Sequence, residues 1–207
     1  MGERAYYWDS YTVAFAAEMV EMTEVGGRPA VRLSQTTFYP TSGGQPNDTG
    51  TLRQGERTAR VVDVVVRESD EAVLHVLDAA LTPGMATGEI NWPRRFDHMQ
   101  QHTGQHILSQ AFIHVAEAET IGFHLSDQSV TIDLDRADLT AEEIRAVEQL
   151  ANEVVAQNRP VRASEVAREA AARRWTVPIV AASLVAGFLM RLVALGLTGV
   201  LWQNVTR

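Results

Sequence analysis

The chain has 207 residues, of which 26 are acidic and 18 are basic, and it carries a formal net charge of −8. This balance excludes a protein that attracts nucleic acid through its overall field, so any RNA contact must come from local basic patches. Cysteine is absent, which excludes disulfide bonds and thiolate metal ligands. The N-terminal residues lack the apolar run of a signal peptide, and we expect a cytoplasmic protein.

The first ninety residues have the pattern of short strands separated by turns. Turn signals lie at Gly26-Gly27, at the polar stretch 67–70 and at Pro83-Gly84. The strand-like runs around them are 11–20, 28–40, 59–66, 71–77 and the end of 80–90. Several short strands in close succession predict a small β-barrel or β-sandwich.

The pattern then changes to helical spacing. Residues 94–117 contain one glycine and no proline, and their apolar side chains recur near every third or fourth position, which predicts a long helix. An alternating run at 128–135 predicts a half-buried strand. A second helix is predicted at 139–158, where Thr140 and Glu143 have the spacing of a capping box.

The C-terminal part is different again. A candidate strand at 160–166 is followed by a tail, 175–207, whose only charged residues are Arg191 and Arg207. Arg191 interrupts the apolar run, and neither half reaches the roughly 18 residues that a membrane span needs. A mid-helix arginine also costs about 2.5–3.5 kcal/mol on insertion. Three hypotheses account for the tail: translation out of frame beyond about residue 170, a membrane or partner helix, or a buried helix.

The stretch HMQQHTGQH, residues 98–106, places three histidines four residues apart. On a helix such neighbours share one face, and two imidazoles can converge on one metal ion. His98 and His106 are separated by about 12 Å of helical rise, too far for both to reach one ion. The spacing therefore leaves two alternatives, His98 with His102 or His102 with His106. A third alternative is that these histidines are ordinary hydrogen-bonding residues on a half-exposed helix face.

Four stretches in the same order resemble the alanyl-tRNA editing proteins, free-standing relatives of the editing domain of alanyl-tRNA synthetase. RRFDHMQQHTGQHILSQAF resembles the histidine motif of that family. TTFYPTSGGQPNDTGTL, at 36–52, resembles its N-terminal signature. RVVDVV with VLHVL, and GFHLSDQSVTIDLD at 122–135, resemble the segments on either side of the histidine motif. The resemblance covers residues 5 to about 165.

The resemblance implies an α+β protein, with a small N-terminal β-barrel domain (1–92) followed by an α+β editing domain with a long histidine-bearing helix (93–174). It leaves 175–207 as an atypical tail. It also implies a hydrolase that deacylates tRNA(Ala) mischarged with serine or glycine. In the family, zinc is held by the two histidines that match His102 and His106 and by a later Cys-x-x-x-His pair.

The resemblance also implies a site loop. Gly43, Gly44 and Gln45 would bring backbone N–H groups and an amide near the substrate as catalytic residues, and Thr41 and Ser42 would line the substrate site. An ordinary turn is the alternative for this loop. His98 and His124 also match motif positions, and we expect supporting roles for them.

The chain departs from the family in one respect, because it has no cysteine and no histidine after His124. His124, Asp127 or water would have to complete a zinc site, which we expect to be weaker and the activity impaired. The alternatives are a non-catalytic tRNA-binding remnant and a membrane-tethered binding module. DNA is not an expected partner, and a membrane is expected only if the tail is a real helix. The candidates for local phosphate contacts are Arg94, Arg95, Arg159, Arg162, Arg168, Arg173 and Arg174. Solvated surface is the alternative for each of them.

Overall fold

The computed structural model describes residues 3–126 and 129–161, in two compact units that divide between Met99 and Gln100. The predicted domain limits stay predictions. Several sequence predictions fall outside the described residues: Asp127, Arg162, Arg168, Arg173, Arg174, most of the candidate strand 160–166 and the whole tail 175–207.

The first unit is built around a closed six-stranded antiparallel barrel. The strands of this unit are β1 (Glu3–Arg4), β2 (Ala14–Val25), β3 (Arg28–Leu33), β4 (Gln35–Thr36), β5 (Gly50–Gln54), β6 (Arg57–Arg67), β7 (Ala72–Leu77) and β8 (Gly84–Ile90). The barrel order is β2-β3-β7-β6-β5-β8, and β1 pairs separately with β4 in parallel. The barrel and the mixed α+β class predicted from the sequence are confirmed.

Local sequence explains how the barrel closes. Gly26 and Gly27 join β2 to β3 with φ of +58° and +75°. A two-residue type I′ hairpin turn needs left-handed φ at both positions, which glycine adopts without steric cost. The barrel interior is apolar, and its most deeply buried side chains include Val31, Phe38, Leu52, Val64 and Leu77.

Helix α1 (Trp92–Ala116) begins two residues before the predicted start. The side-chain oxygen of Asn91 accepts a hydrogen bond from the Arg94 backbone N–H at 3.3 Å, as an N-cap does. This capping places Pro93 inside the first turn, where a missing N–H costs nothing. The helix ends before Glu117, whose φ is +50°.

The second unit combines the later part of α1 with the antiparallel strands β9 (Thr120–Leu125) and β10 (Val130–Leu134) and with helix α2 (Ala141–Ala156). The predicted capping box of α2 is confirmed. Thr140 Oγ1 accepts from the Glu143 N–H at 3.2 Å, and the Glu143 carboxylate accepts from the Thr140 N–H at 2.8 Å. The core of this unit contains Ile107, Leu108, Ala111, Phe112, Val147, Ala151 and Val155.

Candidate functional site

Two histidines of α1 stand side by side. The ring centroids of His102 and His106 are 5.0 Å apart, with the ring planes tilted by 32°. His98, the third histidine of the series, is buried in the first unit with 1% of its surface exposed. The pair that is partly open to solvent is therefore His102 with His106, the pair that the family resemblance selects. Its role as a metal ligand stays a prediction.

The surroundings of this pair favour neutral imidazoles. Burial lowers the pKa of His102, and the neighbouring His106 lowers it further. Burial also lowers the pKa of His106. A neutral imidazole keeps a lone pair, and it is the form that binds a metal ion. At neutral pH the two rings therefore offer two nitrogen ligands.

His124 does not join this pair. The ring of His102 lies 5.5 Å from that of Phe123 on β9. Successive side chains of a strand point to opposite faces, so His124 faces away from His102. It lies instead 3.7 Å from a carboxylate oxygen of Asp133 on the exposed face of the hairpin. Sequence reasoning named His124 as a possible additional ligand, and the strand geometry argues against it.

The histidine pair alone supplies too few ligands for a protein metal site. Protein zinc sites use three or four protein ligands. Within residues 3–126 and 129–161, no group of three or more histidine, aspartate or glutamate side chains is placed to hold a metal ion. The two neutral imidazoles fit two positions of a zinc coordination sphere, and they fill no more than two.

The site loop of the first unit is a tight turn. Ser42 and Gln45 exchange two backbone hydrogen bonds, of 3.1 and 3.0 Å. Gly43 and Gly44 form the exposed tip, with φ of +58° and +78°. Because the N–H groups of Ser42 and Gln45 are used inside the turn, the exposed tip carries the amides of the two glycines. Gln45, in contrast to the exposed tip, is buried, with 7% of its surface exposed.

The stem of the loop holds a residue pair that sequence reasoning missed. Arg95 Nε donates to both carboxylate oxygens of Asp48, at 3.0 Å each. Asp48 also accepts the backbone N–H of Tyr39 at 2.6 Å, and its own N–H donates to the Tyr39 carbonyl at 2.9 Å. Thr41 Oγ1 accepts the N–H of Asn47 at 3.2 Å. These contacts fix both sides of the turn.

The prediction that Arg95 contacts phosphate is wrong, because its side chain is 3% exposed and paired with Asp48. Arg94 is half-buried, and its Nε donates to the Asn47 carbonyl at 3.0 Å. Arg159 is exposed. Nothing local in the sequence indicated that Arg95 is buried, since its partner Asp48 lies 47 positions away.

No helix within the described residues is both long enough and apolar enough to cross a membrane.

A barrel followed by a helix with paired histidines, together with sequence similarity, defines the class of protein. Residues 6–92 match the family model of tRNA synthetases class II (A). The alanine–tRNA ligase of Ignicoccus hospitalis is 36% identical over 180 residues, covering 83% of this chain and 19% of the ligase. That of Pyrobaculum aerophilum is 33% identical over 201 residues, covering 92% and 21%.

The match to a shorter relative spans most of that protein. The alanyl-tRNA editing protein AlaX-M of Methanosarcina barkeri is 30% identical over 177 residues, covering 83% of this chain and 72% of that protein. The chain belongs to the alanyl-tRNA editing-domain family. It spans about a fifth of the length of the alanine–tRNA ligases that it matches.

Proposed function

We propose that this protein hydrolyses the ester of tRNA(Ala) mischarged with serine or glycine. The observation that carries the proposal is the pair of adjacent imidazoles, His102 and His106, on a helix of an alanyl-tRNA editing-domain relative. An aminoacyl ester needs an activated water and stabilisation of the charge that develops on its carbonyl oxygen.

The turn of the first unit carries backbone amides of its own. We propose that the N–H groups of Gly43 and Gly44, at the exposed tip, donate to an ester carbonyl, as oxyanion donors do elsewhere. Ser42 and Thr41 contact the aminoacyl part in this proposal. Gln45 was predicted as a catalytic amide, and because its side chain is buried we assign it to holding the turn.

Zinc is the cofactor that we propose, with His102 and His106 as two of its ligands. Such an ion, when bound, would polarise a carbonyl oxygen or lower the pKa of a water molecule. Because the chain lacks cysteine, the thiolate of the family ligand set is absent. We therefore expect weaker zinc binding and slower hydrolysis than a four-ligand site would give.

A non-catalytic tRNA-binding protein of the same fold is the second candidate. It is favoured by the lack of a group of three ligands within the part of the chain that the structure describes. Both candidates keep tRNA(Ala) as the partner, so only hydrolysis separates them.

The test measures zinc by elemental analysis and hydrolysis of Ser-tRNA(Ala) with and without a chelator. We expect deacylation that the chelator removes and that zinc restores. His102→Ala should lose it, whereas His114→Ala, an exposed histidine of the same helix, should not. Retained tRNA(Ala) binding with no deacylation under any zinc concentration would establish the second candidate.

A further inference from the structure

The N-terminal segment exposes three large aromatic side chains within five residues. Tyr7, Trp8 and Tyr11 are 62%, 75% and 53% exposed. Burying such rings is favourable, so a cluster left at the surface marks a place where something binds. We refer to these three residues as the aromatic platform.

The backbone that carries the platform is held in place. The Asp9 carboxylate accepts hydrogen bonds from the N–H of Tyr11 at 2.9 Å and from the Thr12 hydroxyl at 2.8 Å. Arg95 Nη1 donates to the Ser10 carbonyl at 2.9 Å. Just before the segment, β1 pairs with β4. The rings are therefore presented by a fixed segment, which lowers the entropy cost of binding.

Direct contacts connect the platform to the site loop. The ring of Tyr7 lies 4.6 Å from the ring of buried Tyr6, which lies 5.3 Å from that of Tyr39. The hydroxyl of Tyr39 in turn interacts with the side chain of Ser42, the first residue of the turn. The platform and the glycine tip are therefore linked within the first unit through the packed rings of Tyr6 and Tyr39.

We infer that the aromatic platform stacks on the unpaired nucleotides at the 3′ end of the tRNA whose ester meets Gly43 and Gly44. This inference rests on the proposed function. The aminoacyl ester is carried by the last ribose of a single strand, and every base has a face that stacks on an aromatic ring. The guanidinium of Arg4, which interacts with Tyr7, supplies a cation beside the rings.

The net charge of the chain limits how it can hold RNA. A chain with a net charge of −8 gains little from long-range attraction of phosphates. Stacking needs no net positive charge and tolerates any base. Stacking on the rings, with Arg4 as the local cation, is therefore the contact that this segment offers to a single strand.

The experiment measures binding of a fluorescein-labelled ACCA single-stranded RNA, and of the same sequence within a duplex, by fluorescence anisotropy. Tyr7→Leu and Trp8→Leu should each weaken single-strand binding by about fivefold or more. Tyr7→Phe and Trp8→Phe keep a ring and should bind like the wild type. Met85→Ala, which alters a side chain of 62% exposure on β8, is the matched control. Urea midpoints verify that each variant is folded.

Several results would overturn the inference. They are absence of single-strand binding by the wild type, leucine variants that bind as well as the wild type, or an equal loss in Met85→Ala. A dimer in sedimentation that only the leucine variants dissociate would assign the platform to self-association instead. An inactive protein with ring-dependent RNA binding contradicts only the proposed function. Active leucine variants with an unchanged KM for Ser-tRNA(Ala) contradict only this inference.

Discussion

Arg95 and Asp48 form a buried ion pair between the first turn of α1 and the stem of the site loop. Their side chains are 3% and 1% exposed. Asp48 also accepts the backbone N–H of Tyr39, so the same carboxylate joins the helix to both sides of the loop. The turn to which we assign a catalytic role therefore depends on an ion pair that is buried from solvent.

Removing this carboxylate should destabilise the protein strongly. Asp48→Ala leaves the Arg95 guanidinium buried without its counter-charge, and breaking such a pair costs roughly 3–5 kcal/mol. Asp78→Ala removes the partner of Arg60 in an exposed pair of 2.7 Å and should cost less than about 1 kcal/mol. Urea unfolding of both variants measures the difference. An equal loss of unfolding free energy in the two variants would mean that the backbone carbonyls contacted by Arg95 hold it in place without Asp48.

Gly43 and Gly55 form a matched pair of positions for testing the turn. Both have φ of +58°, and at neither would an added Cβ meet another atom within 4 Å. Gly43→Ala and Gly55→Ala should therefore cost the same, about 1–2 kcal/mol, because of the left-handed backbone. Only Gly43→Ala should lower kcat/KM for Ser-tRNA(Ala), because its added methyl group would stand beside the amide that we propose to contact the substrate. Equal activity of the two variants would remove the turn from the proposed mechanism.

Zinc binding should depend on the histidine pair and persist at mildly acidic pH. His102→Ala or His106→Ala should weaken zinc binding by at least about tenfold, since even the loss of a supporting partner can cost that much. His114→Ala should have no effect. Because burial lowers the pKa of both histidines, protons compete with zinc only below the usual imidazole range near 6.5. Calorimetric titration at several pH values tests both statements.

His75 should make the stability of the protein depend on pH. It is fully buried in β7, where its Nδ1 donates to the Val31 carbonyl at 3.1 Å and its Nε2 accepts from the Thr36 hydroxyl at 2.7 Å. Burial lowers the pKa of His75 from 6.5 to about 4. The unfolded chain therefore binds the proton more readily. The contribution of neutral His75 to the free energy of unfolding is complete above pH 6.5. It is lost as the pH falls towards 4, by up to about 3 kcal/mol.

Comparison with His75→Gln isolates this effect. Glutamine takes up no proton, so the free energy of unfolding of the variant should change less between pH 7 and pH 4.5 than that of the wild type. Urea unfolding at each pH provides the measurement. Parallel pH profiles for the two proteins would show that His75 does not titrate on unfolding.

Features specified by neighbouring residues were predictable from the sequence. The Gly26-Gly27 turn and the Thr140–Glu143 capping box depend on residues within a few positions of each other, and both were predicted. The pairing of Arg95 with Asp48 joins residues 47 positions apart, and a charged side chain gives no local sign of burial. The burial of Gln45 was missed for a similar reason, because it depends on the packing around the turn.

The closed barrel has a consequence for how the protein behaves at high concentration. Each of its six strands has a hydrogen-bonded neighbour on both sides, so within the described residues the barrel offers no open edge to another chain. Strand addition, the usual route from a β-rich protein to fibrils, has no template there. We expect the amides of these strands to exchange with solvent slowly.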